Sequence, residues 1–259
     1  MEIQFSKYHG TGNDFILIDA RSHGVKLSNE HIAHLCHRRF GIGADGLMLL
    51  KKSEKYDFAM QYFNSDGNEG SMCGNGGRCI TAFASRLGII KNHAVFEAVD
   101  GLHEASIEEN IIISLRMSDT RIPENLGDGW FLNTGSPHFV VFRENVSQID
   151  VESEGRQLRH SQRFAPGGCN VNFVENQPGN IFVRTFERGV EAETLSCGTG
   201  AVASALCVAF SGNKTEGDIS LNTPGGNLNV SFYRNGDLYT RITLRGAAQH
   251  VFDGKILLA

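Results

Sequence analysis

The chain has 259 residues, of which 41% are hydrophobic and 20% charged, and its formal net charge is -5. That length is enough for two domains of ordinary size, each with its own core. The mild acidity and the lack of a dense Lys/Arg run argue against a nucleic-acid partner, and the longest apolar stretch, residues 201–210, is too short to cross a membrane.

Short strands and a few helices are predicted along the chain, separated by glycine-rich turns. Strands are expected where β-branched and aromatic residues cluster, at 14–19, 56–64, 94–98, 111–116, 138–142, 181–186, 227–233 and 238–244. Helices are expected from Ser28 to about Arg39, from Cys73 to Gly88, near 150–160, and after Cys197. The stretch 118–130 is interpreted as the connection between two domains.

Residues 41–46 fit the pattern Gly-X-Gly-X-X-Gly, which in dinucleotide-binding proteins follows a strand and opens a helix. Here a predicted helix precedes the pattern, and an apolar run typical of a strand follows it. Because this order is reversed, we do not interpret the motif as a nucleotide site.

Two anchors recur at nearly equal spacing and indicate an internal repeat. Cys73 and Cys197 are 124 residues apart, and Thr11 and Thr134, each followed by glycine, are 123 apart. The helices after the two cysteines are candidates for buried central helices, since a helix that is apolar on every side is normally buried. The sequence therefore predicts an α/β (α+β) fold of two pseudo-symmetric domains, each with mixed strands wrapped around a central helix.

The phrase Cys-Gly-X-Gly begins at Cys73 and again at Cys197, and each copy stands at a predicted helix start. The first turn of a helix has N–H groups without internal partners and carries the positive end of the helix dipole, so it stabilises a thiolate and attracts anions. Glycines after the cysteine would let a ligand approach those N–H groups. Two such cradles facing one another would place a sulfur on each side of one carbon. One sulfur could remove a proton while the other delivers one to the opposite face, which inverts a stereocentre without a metal or pyridoxal cofactor.

Most cysteines near a helix start are small buried hydrophobes, and we keep that interpretation for Cys36, Cys79, Cys169 and Cys207. The six cysteines form no Cys-X-X-Cys pair, and the first residues show no secretion signal. We therefore expect reduced thiols in the cytoplasm and no zinc site.

Polar residues at strand ends are further candidates for a site. His138 follows Thr-Gly-Ser-Pro at a strand start, and Glu187 with Arg188 comes between an apolar strand and the second cysteine loop. A satisfied polar histidine and a solvated ion pair are the simpler interpretations, which the sequence leaves open.

A series of motifs runs through nearly the whole chain: His-Gly-Thr-Gly-Asn-Asp-Phe (9–15), Gly-Ile-Gly-Ala-Asp-Gly (41–46), Phe-Asn-Ser-Asp-Gly (63–67), Met-Cys-Gly-Asn-Gly-Gly-Arg-Cys (72–79), Gly-Ser-Pro-His (135–138), Asn-Val-Asn-Phe (170–173), Glu-Arg-Gly (187–189), Glu-Thr-Leu-Ser-Cys-Gly-Thr-Gly (193–200), Thr-Pro-Gly-Gly (223–226) and Phe-Asp-Gly (252–254). Together these motifs resemble the diaminopimelate epimerase family. The resemblance implies a cofactor-independent epimerase, acting as a cytoplasmic homodimer, that interconverts LL- and meso-2,6-diaminopimelate for lysine and peptidoglycan synthesis. It also implies one half at 1–118, carrying Cys73 and completed by a return segment at 246–259, and a second half at 119–245, carrying Cys197.

Carried over residue by residue, the resemblance implies that Cys73 and Cys197 are the two acid/base groups. The backbone cradle for the reacting carboxylate would consist of Gly74, Asn75, Gly198 and Thr199. The polar ends of the substrate would be held by Asn13, Asn64, Asn170, Glu187 and Arg188. His138 and Glu187 would support the catalytic groups. Some family members have Gln at the position of Gly46 and Asn at that of Ser136.

Other functions remain open from the sequence. A proline or 4-hydroxyproline racemase would also use two cysteines, but such enzymes typically have His at the position of Asn75. An isomerase of the phenazine-biosynthesis type would share the fold without the cysteine pair. A non-catalytic amino-acid-binding module would have no reason to pair two acidified thiols.

Overall fold

The structure is a computed structural model that describes residues 2–22, 25–70, 72–108 and 111–258. Its helices are α1 (Asn29–Cys36), α2 (Gly74–Arg86), α3 (Val151–Arg159) and α4 (Gly198–Ser211). Its strands are β1 (Glu2–Gly10), β2 (Asn13–Asp19), β3 (Gly46–Lys51), β4 (Phe58–Asn64), β5 (Glu69–Gly70), β6 (His93–Ala98), β7 (Gly101–Glu108), β8 (Ile112–Arg116), β9 (Thr120–Arg121), β10 (Glu124–Asn125), β11 (Trp130–Asn133), β12 (Pro137–Phe142), β13 (Asn170–Gln177), β14 (Asn180–Glu187), β15 (Ala192–Thr194), β16 (Glu216–Thr223), β17 (Gly226–Asn235), β18 (Leu238–Ala247) and β19 (Gln249–Leu257).

Residue contacts divide the chain into two units, Met1–Leu115 with Ala247–Ala259, and Arg116–Gly246. In the first unit, β19 pairs with β1, and the order continues through β2, β3, β4, β6 and β7, with β5 also on β4. The pairs β2–β3 and β4–β6 are parallel, and the other pairs are antiparallel. The sheet is therefore mixed.

The second unit repeats this pattern strand for strand. There β11 pairs with β12, and the order continues through β13, β14, β16 and β17, with β15 also on β14. The parallel pairs are β12–β13 and β14–β16, which occupy the same places as β2–β3 and β4–β6. The internal repeat and the predicted mixed fold of two pseudo-symmetric domains are thus confirmed.

Each unit has one central helix and one outer helix. In α2, the run from Gly74 to Thr81 is buried, and the helix packs against β1, β2, β3, β7 and β19. In α4, no residue is charged, and the helix packs against β11 to β14, β16 and β17. The outer helices α1 and α3 cover other apolar side chains of the two sheets, such as Ile16 and Phe173. Each central helix is therefore held on most of its faces, which fixes the position of its N-terminus.

All eight predicted strands are present, with ends within three residues of the prediction. The first helix is capped by Ser28 as predicted, but it ends at Cys36 instead of near Arg39. It ends early because the N–H groups of Ile42 and Gly43 both donate to the carbonyl of Leu35, which turns the chain back.

The stretch 118–130, interpreted as a connection between domains, directly follows the boundary between the two units and carries two short strands. The stretch belongs to the second unit, where β9 pairs with β18 and β10 pairs with β11. Two-residue strands leave no periodicity that a sequence pattern could detect, since alternation needs at least four residues. No helix within the described ranges is long and apolar enough to cross a membrane.

Candidate active site

Cys73 is the N-cap of the central helix of the first unit. Its backbone is extended, with φ -104° and ψ 151°, and its Sγ accepts the N–H of Gly76 at 3.2 Å. The sulfur thus occupies the place that a Ser or Asp oxygen takes in an ordinary cap. The geometry gives Sγ a hydrogen bond that stabilises its anionic form and places it at the positive end of the helix dipole.

Asn13 and Asn75 are brought together beside this helix start. The side-chain Nδ2 of Asn75 donates to Oδ1 of Asn13 at 3.3 Å, and Nδ2 of Asn13 donates to Oδ2 of Asp45 at 2.7 Å. Asp45 and Asp14 in turn accept from Arg38, at 2.7 and 2.8 Å. The amide of Asn13 is therefore fixed by a network anchored on charged residues.

Asn64 lies at the same edge of the sheet, because it ends β4 and pairs with Gly46 at the start of β3. It is exposed, and its amide lies beside Gly70. Gly46 leaves no room for a side chain, since an added Cβ would come within 2.6 Å of the Tyr62 ring and 2.7 Å of the Phe63 carbonyl oxygen. In this chain the ring of Tyr62 fills the space into which a side chain at position 46 would point.

Cys197 is the N-cap of the central helix of the second unit. It is 8% exposed, and its Sγ lies 3.5 Å from Oγ1 of Thr199. The backbone carbonyl of Thr199 accepts from the hydroxyl of Thr134 at 2.9 Å, which holds the first turn of α4 against the turn before β12. The anchors Thr134 and Cys197, which revealed the repeat, are thus neighbours in the fold.

His138 is buried on β12 and connects to Cys197 through Thr199. Its Nε2 lies 2.9 Å from Oγ1 of Thr199, and its Nδ1 lies 2.8 Å from Oδ1 of Asn172. Because Nδ2 of Asn172 donates to Thr185, Oδ1 of Asn172 must accept, and Nδ1 of His138 therefore carries the proton. Nε2 is left as the acceptor, so the hydroxyl of Thr199 can donate to it while accepting from the thiol of Cys197.

The ring of His138 stays neutral near pH 7. Burial lowers the pKa of His138 to about 4, and the hydrogen bond with Asn172 opposes this only in part. A neutral ring keeps one donor and one acceptor, which the contacts with Asn172 and Thr199 require.

The buried histidine predicts a pH dependence of stability. The unfolded chain takes up a proton at His138 as the pH falls through 6.5, whereas the folded chain does so only near pH 4. The unfolding free energy should therefore decrease as the pH falls from 6.5 to 4, and His138 should account for about 3 kcal/mol of that decrease. We expect urea titrations at pH 4, 5, 6 and 7 to show this loss, and to show a loss smaller by that amount in His138→Gln. Equal losses in both proteins would contradict a neutral buried His138.

Asn170, Glu187 and Arg188 lie near the start of β13 and the end of β14. Nδ2 of Asn170 donates to Oγ of Ser136 at 2.9 Å, and its Oδ1 accepts the N–H of Arg188 at 2.8 Å. Oε2 of Glu187 accepts from the Thr194 hydroxyl at 2.9 Å. The guanidinium of Arg188 is exposed and has no hydrogen bond or ion pair with any residue that the structure describes. It is therefore available for an anionic ligand.

The second glycine of each Cys-Gly-X-Gly phrase faces neighbouring protein atoms at close distance. A Cβ on Gly200 would come within 2.4 Å of Nδ2 of Asn172 and 3.3 Å of the His138 ring. A Cβ on Gly76 would come within 3.2 Å of the Cys73 sulfur. These glycines let the strands and the Cys73 sulfur approach the first turn of each helix. This close packing is a reason for glycine at these positions that the sequence interpretation did not give.

The other four cysteines are buried, free thiols, as the simpler interpretation expected. Burial raises the pKa of Cys36 and of Cys169 to about 12, and it raises the pKa of Cys79 and of Cys207 further. These sulfurs therefore stay protonated and carry no acid/base chemistry. In the described ranges no cluster of three or more His, Cys, Asp or Glu side chains could hold a metal ion.

Comparisons with known proteins place the chain in a family. The family model for diaminopimelate epimerase matches residues 5–118 and 130–251. The diaminopimelate epimerase of Flavobacterium psychrophilum is 51% identical over 253 residues, which cover 96% of this chain and 98% of the relative. The chain belongs to the diaminopimelate epimerase family. A second family member, the diaminopimelate epimerase of Chlorobaculum tepidum, is 43% identical over 261 residues, covering 96% and 99% of the two chains. Membership makes this protein an isomerase.

Solved structures share the fold of this epimerase family member. A phenazine biosynthesis protein of the PhzF family from Bacillus anthracis aligns with a TM-score of 0.75 at 17% identity, over 100% of both chains. A hydroxyproline epimerase from Agrobacterium vitis aligns with a TM-score of 0.69 at 15% identity, over 98% of this chain and 92% of its own. At these identities the similarity shows the fold alone.

Sequence reasoning missed two residues that contact the candidate site residues, one in each unit. Asn172 orients His138, and Arg78 contacts both Asn75 and Thr11 from within α2. Asn172 could have been found, because it stands two residues after Asn170 in an apolar strand and therefore faces the same side. Arg78 gave a weaker signal, a lone charge in a helix that was expected to be buried.

Proposed function

We propose that this chain is a cofactor-independent epimerase that interconverts LL-2,6-diaminopimelate and meso-2,6-diaminopimelate, with Cys73 and Cys197 as its two bases. The observation that carries the proposal is that both cysteines are the N-cap residues of the buried central helices of their units. Family relatives named diaminopimelate epimerase at 51% and 43% identity support the choice of substrate.

The reaction needs a base on one face of a carbon and an acid on the other. One sulfur, as thiolate, removes the α-proton, and the electron pair left on carbon is delocalised into the adjacent carboxylate. The other sulfur, as thiol, then gives its proton to the opposite face, so that the two sulfurs have exchanged protonation states. Backbone N–H groups of the two first turns, at Gly74, Asn75, Gly198 and Thr199, would stabilise the developing carboxylate charge, each well-placed donor contributing about 3 kcal/mol.

The contacts of Thr199 suit both protonation states of Cys197. When Cys197 is a thiol, its S–H can donate to Oγ1 of Thr199, which donates to Nε2 of His138. When Cys197 is a thiolate, the same hydroxyl can rotate and donate to the sulfur. Nε2 of His138 then keeps a longer contact, 3.4 Å from Nδ2 of Asn170, which also donates to Ser136 and to the carbonyl of Pro137. We propose that Thr199 and His138 together let Cys197 alternate between acid and base.

The second amino-acid group of the substrate needs polar contacts away from the reacting carbon. We propose that Asn13, Asn64, Asn170, Glu187 and Arg188 supply them. The exposed guanidinium of Arg188 suits a carboxylate, because its planar fork can donate two parallel hydrogen bonds. Glu187, one residue earlier, offers a carboxylate for the substrate ammonium.

Location, assembly and pathway are proposed from the family resemblance. The described cysteines are all free thiols, which fits the cytoplasm, where thiols are kept reduced. We propose a homodimer that uses no pyridoxal phosphate and that serves lysine and peptidoglycan synthesis.

Incubation with LL-diaminopimelate in D2O tests the function. The meso isomer should form and carry one solvent deuterium at the inverted α-carbon, with no cofactor added, as followed by NMR and chiral chromatography. Parallel incubations with L-proline and trans-4-hydroxy-L-proline should show no exchange. Exchange with either of these and none with diaminopimelate would favour the racemase alternative. Binding of diaminopimelate without exchange would favour a non-catalytic module.

A further inference from the structure

Arg78 is a fully buried arginine inside the central helix of the first unit, five residues after Cys73. Side chains on a helix lean towards its N-terminus, so the guanidinium of Arg78 lies beneath the first turn. Nη1 donates to the carbonyl of Gly74 at 3.1 Å. Nη2 donates to Oδ1 of Asn75 at 3.0 Å and to Oγ1 of Thr11 at 3.3 Å.

No carboxylate pairs with Arg78 among the residues that the structure describes, and its Nε has no hydrogen-bond partner there. Other arginines of the unit do have such partners: Arg38 pairs with Asp14 and Asp45, and Arg86 pairs with Asp253. A buried charge without a counter-charge is costly. An anion that is not an Asp or Glu side chain of the described residues would therefore stabilise Arg78.

Cys73 directly precedes Gly74, whose carbonyl accepts from Nη1 of Arg78, so its sulfur stands next to the turn that Arg78 contacts and can supply this anion. Burial lowers the pKa of Arg78, and charge on the neighbouring sulfurs of Cys79 and Cys73 would oppose that shift. Cys79 remains a neutral thiol because burial raises its pKa well above the usual value. Cys73, which is partly exposed and accepts the N–H of Gly76, is the remaining source of negative charge.

Titratable groups on the elements packed against α2 are engaged elsewhere. On β1 and β2, Lys7 pairs with Asp14. On β3, Lys51 donates to Gln61, and on β7 His103 pairs with Asp100. On β19, His250 and Asp253 pair with each other, and Asp253 also pairs with Arg86 at the far end of the helix.

Arg78 also orients the amide of Asn75. Because Oδ1 of Asn75 accepts from Arg78, Nδ2 is left to donate to Asn13, whose own Nδ2 donates to Asp45. The backbone leaves space for this arrangement only because residue 10 is glycine. A Cβ on Gly10 would come within 3.2 Å of Nη2 of Arg78 and 3.1 Å of the Asn75 carbonyl oxygen.

We propose that Arg78 is a positioning residue of the epimerase, whose buried guanidinium is the counter-charge of the Cys73 thiolate and fixes the amide of Asn75. The proposal deepens the proposed function, on which it rests for the role of Cys73. The main test of the role of Arg78 needs no substrate, so this proposal and the proposed epimerase function can fail independently.

The test measures the rate at which iodoacetamide alkylates Cys73 between pH 5 and 10, by mass spectrometry of the peptide that contains this cysteine. In Arg78→Gln, the pH midpoint of the rate should rise by about one unit, because removal of a nearby counter-charge disfavours the ionised form. The rate at pH 7 should then fall about tenfold. The matched control is Arg86→Gln, which removes a charge from the same helix at its exposed end and should leave the midpoint unchanged.

A second variant separates charge from geometry. Arg78→Lys keeps the charge but loses the fork that contacts Asn75, so the midpoint should stay within about 0.3 units of the wild-type value. The KM for diaminopimelate should rise at least about fivefold, with a smaller change in kcat. An unchanged pH midpoint of Cys73 alkylation in folded Arg78→Gln would overturn the proposal. If that variant does not fold by circular dichroism, a shifted midpoint or an unchanged KM in Arg78→Lys would overturn it instead.

Discussion

Replacing either Cys73 or Cys197 with alanine is expected to lower the rate of diaminopimelate epimerisation by at least about 10³-fold, because in the proposed scheme each sulfur supplies one of two proton transfers and neither can be bypassed. The fold should persist in both variants, since each cysteine stands at the end of a helix that many strands hold in place. The rate is measured as formation of meso isomer from the LL isomer, and the fold by circular dichroism and thermal unfolding.

Each variant keeps one working sulfur, and this gives a second, sharper readout. A single thiolate can remove the α-proton and return a deuteron from D2O to the same face, which exchanges hydrogen without inversion. We expect the Cys73→Ala and Cys197→Ala proteins to exchange opposite configurations of the α-carbon. Exchange of the same configuration by both would contradict a scheme with one sulfur on each face.

The matched control is Cys207→Ala. Cys207 lies in α4, the helix that begins after Cys197. It is ten residues beyond Cys197 and is fully buried. Its loss should reduce stability without changing turnover. If Cys207→Ala lowered turnover as much as Cys197→Ala does, damage to the helix and not lost chemistry would explain both results.

The sequence pointed to the two candidate cysteines at helix starts, the central helices and the repeat because these depend on local patterns. A cysteine followed by Gly-X-Gly at a helix start can be identified without knowing what surrounds it. The repeat required only two anchors at equal spacing, and the pairing of β11 to β17 now shows that it extends through the second unit.

The rest depends on contacts between distant parts of the chain. Strand β1 was not predicted, and it pairs with β19, whose residues are up to 255 positions away, as in the pair Glu2 and Leu257. The link from His138 through Thr199 to Cys197 joins β12 to α4, and no local spacing reports it. For the same reason the sequence interpretation assigned Thr199 to the backbone cradle and gave its hydroxyl no role.

That hydroxyl carries the last prediction. Thr199→Val keeps the shape of the side chain but removes the group that lies 2.9 Å from Nε2 of His138 and 3.5 Å from the Cys197 sulfur. Cys197 would then lose the partner that adapts to both of its protonation states, and kcat should fall about 10²-fold, at the lower end of what a positioned proton-transfer group contributes. The KM should change little, because the backbone N–H groups of the first turn remain.

Thr199→Ser is the matched variant, since it restores the hydroxyl without the methyl group, and it should recover most of the lost kcat. Steady-state kinetics over pH 6 to 9 compares the three proteins. The argument fails if Thr199→Val turns over within threefold of the wild type, because Cys197 would then exchange its proton without the Thr199–His138 link. It also fails if Thr199→Ser is as slow as Thr199→Val. The site would then require the methyl group of Thr199, which packs near Gly135, and not its hydroxyl.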